Sequence, residues 1–257
     1  MTVHNFHCGG EWTDFTFFGA NHPQAGTTVY IPYLAFLLQW DERVLLFDTG
    51  PNAELVRNPA AWIGESAELY DVRVDESQLL VNQLHALGVS PSEITDVVLS
   101  HLHYDHAGSV KSFPNATVHV QRTEYDSAIG AYGEGAADYV RSEFDGKLNW
   151  NFLDGGTDLF GDGRCIILAT PGHTPGHQSL VANSEAGPVI FVGDAAPHPQ
   201  TLATRVLPSV VWDAASEVAS WRHLEDSAAR YQATLVFPHD PNFRDTMYLV
   251  PGGSAAR

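Results

Sequence analysis

The alternation of apolar and polar positions along the chain predicts strands first. Thr28–Trp40 is a run of β-branched, aromatic and leucine residues, and Asp41-Glu42-Arg43 breaks it before a second short run over 44–48. Together they read as a hairpin ending in Asp48-Thr49-Gly50. Residues 54–75 mix Asn-Pro, Ala, Trp62, Gly64 and Tyr70 with no clear period, which predicts a long loop or lid. Leu79, Leu80, Gln83, Leu84 and Leu87 then follow helical spacing, Gly88 stops that helix, and a strand over 94–100 follows.

Further on, 116–120 reads as a strand and 124–144 as a helix-like aromatic stretch broken by Gly130, Gly133 and Gly135. Its Tyr125, Tyr132 and Tyr139, seven apart, read as core or wall residues rather than as a cofactor site. Strands over 164–169, 179–181 and 188–192, a helix over Ala214–Tyr231 and a last strand over 233–237 complete the pattern. Early and late strands with helices between and after predict an α/β fold of two mixed sheets with helices outside. At 257 residues with no internal repeat, one domain over 1–250 is expected, with 251–257 as a disordered tail.

Composition narrows the function. With 44% hydrophobic and 17% charged residues the chain is ordinarily globular, and no run approaches the roughly 18 apolar residues of a membrane helix, so no membrane partner is expected. A net charge of −18 repels a phosphate backbone, which excludes nucleic acid and favours a small molecule, although the same acidity also serves solubility. The first ten residues lack a basic leader and an apolar run, and Cys8 and Cys165 form no CxxC pair. Both point to the cytoplasm, with each cysteine buried as a small apolar residue.

The chemistry is concentrated in Ser100-His101-Leu102-His103-Tyr104-Asp105-His106-Ala107-Gly108, directly after a predicted strand. In extended backbone alternate side chains share a face, so His101 and His103 reach one metal together, and a turn presents Asp105 and His106 to a second. Imidazole with carboxylate favours a transition metal, zinc by default and Fe, Mn or Co otherwise. Thr170-Pro171-Gly172-His173, Val192-Gly193-Asp194-Ala195 and Phe237-Pro238-His239-Asp240 each follow a strand-like run. Strand ends meeting at one edge are where distant ligands can assemble.

With these segments on the page, the chain resembles the metallo-β-lactamase superfamily, and within it the N-acyl homoserine lactonase branch. The resemblance runs from Leu46-Phe47-Asp48-Thr49-Gly50 through Ser100 to Gly108 and Val120-Gln121-Arg122-Thr123-Glu124-Tyr125. It continues through Thr170-Pro171-Gly172-His173-Thr174-Pro175-Gly176-His177-Gln178-Ser179 to His239-Asp240. It implies an αββα sandwich with two divalent metal ions: His101, His103 and His173 on one, Asp105, His106 and His239 on the other, and Asp194 bridging both. His177 is expected to orient its loop, Asp48 and Asp240 to fix imidazoles, and His4, His7, His22, His85, His119 and His223 to be surface or core residues.

One position departs from the lactonases, in which a tyrosine three residues after the bridging aspartate contacts the substrate carbonyl. Here that position is Pro197. The adjacent His198 reads either as a substitute donor or as an exposed loop histidine. The expected reaction is opening of a lactone ring, an N-acyl homoserine lactone above all, by a metal-bridging hydroxide, with Asp105 carrying a proton to the leaving alkoxide. Phe15, Phe17, Phe18, Trp62 and Tyr132 lie in segments that could line an acyl slot, and a homodimer is left open. The same ligands also serve thioester hydrolysis of the glyoxalase II type, an iron-dependent oxidoreductase, or a metal-binding module without catalysis.

Overall fold

The computed structural model describes residues 1–19, 21–64, 66–130, 138–184 and 187–242. The strands are β1 (Thr2–Asp14), β2 (Thr28–Trp40), β3 (Arg43–Phe47), β4 (Asp71–Arg73), β5 (Asp96–Val98), β6 (Thr117–Gln121), β7 (Asn149–Leu153), β8 (Thr157–Asp158), β9 (Cys165–Ala169), β10 (Gln178–Ser184), β11 (Gly187–Phe191) and β12 (Thr234–Val236). The helices are α1 (Ala53–Arg57), α2 (Pro59–Ile63), α3 (Ser66–Leu69), α4 (Leu80–Leu87), α5 (Tyr104–Ala107), α6 (Arg122–Ile129), α7 (Arg141–Phe144), α8 (Pro199–Thr204) and α9 (Ala214–Tyr231). A seven-stranded sheet runs β4-β1-β2-β3-β5-β6-β7 and a five-stranded sheet runs β12-β11-β10-β9-β8, both with parallel and antiparallel pairs.

Strand β2 is almost continuously apolar because both of its faces are buried. Leu34, Phe36 and Leu38 face the second sheet and meet Ile167, Leu180 and Phe191 there. Tyr33, Ala35 and Leu37 face the other way, toward Leu80 and Leu84 of α4 and Tyr104 and Ala107 of α5. On the far side of the second sheet, Val181 and Ile190 pack under Leu202 of α8 and Trp221 and Leu224 of α9. Helix, sheet, sheet, helix is the expected αββα sandwich.

The expected hairpin, the helix ended by Gly88 and the strand before the histidine motif all form, although that strand is only β5. Three readings change. Residues 54–75 form α1, α2, α3 and the edge strand β4 instead of a loop, with Asn52 and Asn58 capping the first two helices. The 124–144 stretch is not one helix: α6 ends at Ile129 and α7 begins at Arg141, with Tyr132 outside the described residues. Strands β1 and β7 went unassigned by pattern. Cys8 and Cys165 are free and buried, as expected, and the 251–257 tail lies outside the described residues. No described helix is long and apolar enough to cross a membrane.

Candidate metal centre

Strands β3, β5, β9, β11 and β12 all release their chains at the same edge of the sandwich, since β3 pairs parallel with β5, β11 parallel with β12, and β9 and β11 flank β10 in antiparallel fashion. The five exits carry Asp48, the His101–His106 turn, His173, Asp194 and His239. They converge as the sequence predicts. His101, His103 and His173 bring one ligand atom each within 4.8 Å of one another, as do Asp105, His106 and His239, and as do His101, His106 and Asp194.

The separations match a coordination shell. Around a tetrahedral zinc with nitrogens at about 2.0–2.1 Å, neighbouring ligand atoms stand about 3.3 Å apart. Here His106 Nε2 is 3.1 Å from Asp105 Oδ2, His103 Nδ1 is 3.2 Å from His173 Nε2, and His239 Nε2 is 3.6 Å from Asp105 Oδ2. Asp194 divides its oxygens: Oδ1 lies 3.4 Å from His106 Nε2 and 3.2 Å from His239 Nε2, while Oδ2 lies 3.5 Å from His173 Nε2. A carboxylate so placed could serve two ions at once.

The far side of each ring decides which nitrogen points inward. His173 Nδ1–H donates to the Val210 carbonyl at 2.9 Å and His239 Nδ1–H to the Pro32 carbonyl at 2.7 Å, and a carbonyl can only accept, so both present a bare Nε2 to the centre. His106 Nδ1–H donates to Asp48 Oδ2 at 2.8 Å, and His101 Nδ1 sits 3.0 Å from Ser100 Oγ, whose hydroxyl donates on to Asp48. His101 Nε2, His106 Nε2 and Asp194 Oδ1 are buried without a hydrogen-bond partner. Orphaned lone pairs aimed at a common space in a dry interior are what bound cations would satisfy.

Electrostatics agree. Burial favours the neutral acid of Asp194, yet the charges of His239, His106 and His173 hold its carboxyl well below the usual range. Burial likewise opposes charge on His106, but Asp105, Asp194 and Asp48 push its imidazole well above the ordinary value. Buried carboxylates demand positive charge, from protons or from metal ions.

The two motif stretches that suggested lactonases lock together. Glu124 accepts the Leu102 N–H and the Tyr139 hydroxyl on Oε1 and the Gly176 N–H on Oε2, at 2.9 to 3.0 Å. A Cβ on Gly176 would stand 2.2 Å from the Glu124 nitrogen, so only glycine permits this approach. Gln121 Nε2 donates to Gln178 Oε1 at 2.8 Å. The helix carrying Glu124 thereby fixes the loops bearing His101–His106 and His173 to each other.

Other predicted residues separate. His177 accepts the Asp194 N–H on Nε2 at 2.9 Å and reaches Thr170 through Nδ1, and burial pushes it down to about 3, so it is a neutral brace for the bridging residue. Asp48 holds His106 as expected, whereas Asp240 lies 4.0 Å from His198 and not beside a centre imidazole. His198 itself is a correction. It is buried, not exposed, packed on Phe18, and its Nδ1 accepts the Gln200 N–H to cap α8. It does not line the cavity beside the centre, whose described lining includes Asp105, Asp194 and His239, so the donor role considered for it has no geometric support.

That cavity is a narrow, half-open cleft, with about 30 Å³ available to the centre of a water molecule. Of the expected slot residues that are described, only Phe17 lines it; Phe15 and Phe18 pack with Ile31, Trp62 donates to buried Glu143 at 2.6 Å, and Tyr132 lies outside the described residues. Five lining residues, Glu11, Ile31, Tyr104, Asp138 and Val210, are not among those the sequence singles out. Tyr104 sits inside the histidine motif and could have been read there; Glu11 carries no local signal.

The metallo-beta-lactamase superfamily model matches residues 31–239, which span all seven donors. The chain belongs to the metallo-beta-lactamase superfamily. Within that superfamily it is 35% identical over 223 residues to the N-acyl homoserine lactonase AttM of Agrobacterium fabrum, covering 84% of this chain and 85% of that one. It is 30% identical over 217 residues to the N-acyl homoserine lactonase AiiA of Bacillus thuringiensis subsp. kurstaki, covering 84% of each. A solved N-acyl homoserine lactone hydrolase with N-hexanoyl-L-homoserine bound at its catalytic metal centre superposes with a TM-score of 0.85 at 26% identity, over 96% of this chain and 97% of that one.

Proposed function

We propose that this protein is a dinuclear-metal hydrolase that opens the lactone ring of N-acyl homoserine lactones. His101, His103 and His173 would hold one ion and Asp105, His106 and His239 the other, with Asp194 placed to serve both, and zinc is the ion that suits this donor set. The observation that carries the reading is Asp194, whose two oxygens face the two imidazole sets separately. Relatives that are 30–35% identical and named N-acyl homoserine lactonases support the substrate class.

Bound ions would activate water at neutral pH and polarise the lactone carbonyl. The chain's own residues do the rest. Asp105 lines the cavity and takes the proton released as water attacks, then returns it to the ring oxygen when the ester C–O bond breaks, leaving a hydroxyl and a carboxylic acid that ionises to solvent at neutral pH. Phe17, Ile31 and Val210 give the cavity an apolar wall against which an acyl chain can lie.

The test is a substrate panel of acyl homoserine lactones, aromatic lactones and glutathione thioesters with metal-loaded protein. Lactone opening is expected, lost on chelation and restored by zinc, and Asp194→Asn should cost activity far more than folding. Metal-loaded protein inert toward every lactone but cleaving the thioesters would transfer the assignment to the glyoxalase II reaction.

A further inference from the structure

The wall of the cavity beside the centre mixes apolar and polar side chains. Beside apolar Phe17, Ile31 and Val210 stand Glu11, Tyr70 and Tyr104, with Glu11 the cross-strand neighbour of Ile31. Glu11 is 2% exposed, a depth at which a carboxyl needs a reason. Its partners are hydroxyls and not a cation: Tyr33 and Tyr104 both donate to the same oxygen, Oε2, the second at 2.9 Å, with the two hydroxyls 3.3 Å apart. The other oxygen, Oε1, stands outside that pair of bonds. The carboxyl is therefore fixed in orientation by side chains that are themselves buried in the core.

A backbone irregularity brings Glu11 to this wall. Along β1, Phe6 pairs with Ala35 on the helix-facing side of the sheet, but between His7 and Gly10 the register against β2 slips, three residues advancing against two from Leu34 to Pro32. Gly9 takes φ +87° in this bulge. A one-residue insertion reverses which face later side chains occupy. Without it Glu11 would share the face of His7; with it Glu11 sits opposite Ile31, on the face of Tyr33 and the cavity.

We propose that Glu11, oriented by Tyr33 and Tyr104, is a specificity-determining residue that hydrogen-bonds a hydroxyl on the acyl substituent of the lactone, so that hydroxyacyl lactones are preferred over unsubstituted ones of equal length. The proposal rests on the lactonase reading above. A hydroxyl both donates and accepts, so it pairs with a carboxyl in either ionisation state. A methylene in the same place would strip water from the carboxyl and return nothing. Discrimination on the order of tenfold to a hundredfold follows.

The experiment compares kcat/KM of the metal-loaded enzyme on N-(3-hydroxyacyl) and N-acyl homoserine lactones of the same chain length, together with equilibrium binding of the two ring-opened products. The native protein should favour the hydroxylated member at least about tenfold, chiefly through KM. Glu11→Leu should bring both ratios close to one. Because that change strands two buried tyrosine hydroxyls, the triple variant Glu11→Leu, Tyr33→Phe, Tyr104→Phe, which removes both sides of the network, decides the matter should the single variant misfold. A native protein without the preference, or a preference that survives in these variants, overturns the proposal while leaving the lactonase reading intact. No turnover of either lactone overturns both.

Discussion

Replacing Asp48 by asparagine should weaken one of the two cation sites without touching a single ligand. Asp48 accepts the Ser100 N–H on Oδ1 at 2.7 Å, and on Oδ2 the Ser100 hydroxyl at 2.9 Å and His106 Nδ1–H at 2.8 Å. In Asp48→Asn the amide oxygen can keep the backbone bond, which puts the NH2 group against two donors. The serine hydroxyl can rotate to accept. The imidazole can accept only by moving its proton to Nε2, which removes the lone pair it offers to the centre. Loss of such an orienting partner generally lowers metal affinity about 10- to 100-fold, or about 1.4–2.8 kcal/mol. The backbone does not confound the result, because Asp48 sits at φ +59°, where asparagine is equally at home. Titration against a competing chromophoric chelator should therefore show one ion bound nearly as in the native protein and the other released 10- to 100-fold more readily. Two ions retained at native affinity would refute the claim that Asp48 sets the His106 tautomer.

Glu124→Gln leaves one oxygen to serve N–H and O–H groups that arrive from both loops, so a buried donor on one side goes unpaired; a loss of about 2–3 kcal/mol is expected, read as a lower denaturation midpoint at unchanged slope, and an unchanged midpoint would contradict the bracing role. Glu143 tests pH dependence, since burial raises its carboxyl to about 8. Below the unfolded value near 4.5 both states hold the proton; between there and about 8 only the folded state does, so stability falls as pH rises through that window. Glu143→Gln should match the native protein near pH 4 and exceed it by up to a few kcal/mol near pH 9, and equal denaturation midpoints at pH 9 would show that the carboxyl ionises at no cost.

The metal centre was legible because its chemistry is written in contiguous residue types: His-x-His-x-Asp-His names two sites by the alternation of a strand end and the turn that follows it. His173, Asp194 and His239 were legible for a different reason, as single donors each placed directly after an apolar run. What the pattern hid depends on nonlocal packing. Strand β1 was hidden because the bulge at Gly9 breaks its period of two, and Glu11 was hidden with it, since the face it occupies is set by that one extra residue. β7 alternates Asn149, Trp150, Asn151 and Phe152 on a half-buried edge, too little apolar surface to stand out. His198 looked exposed because nothing nearby in sequence covers it; the cover is Phe15 and Phe18, which follow β1 in a 3-10 turn at the other end of the chain.

The donors are divided between the two halves of the sandwich. Asp105, His106, His101 and His103 follow β5 in the seven-stranded sheet, whereas His173, Asp194 and His239 follow strands of the five-stranded one. Neither half owns a complete coordination shell, so a cation held here acts as a removable rivet through the open edge of the two layers. Its affinity would then also be local cohesion: withdrawing it would loosen the edge where the site opens, while the apolar core between the layers holds the rest together.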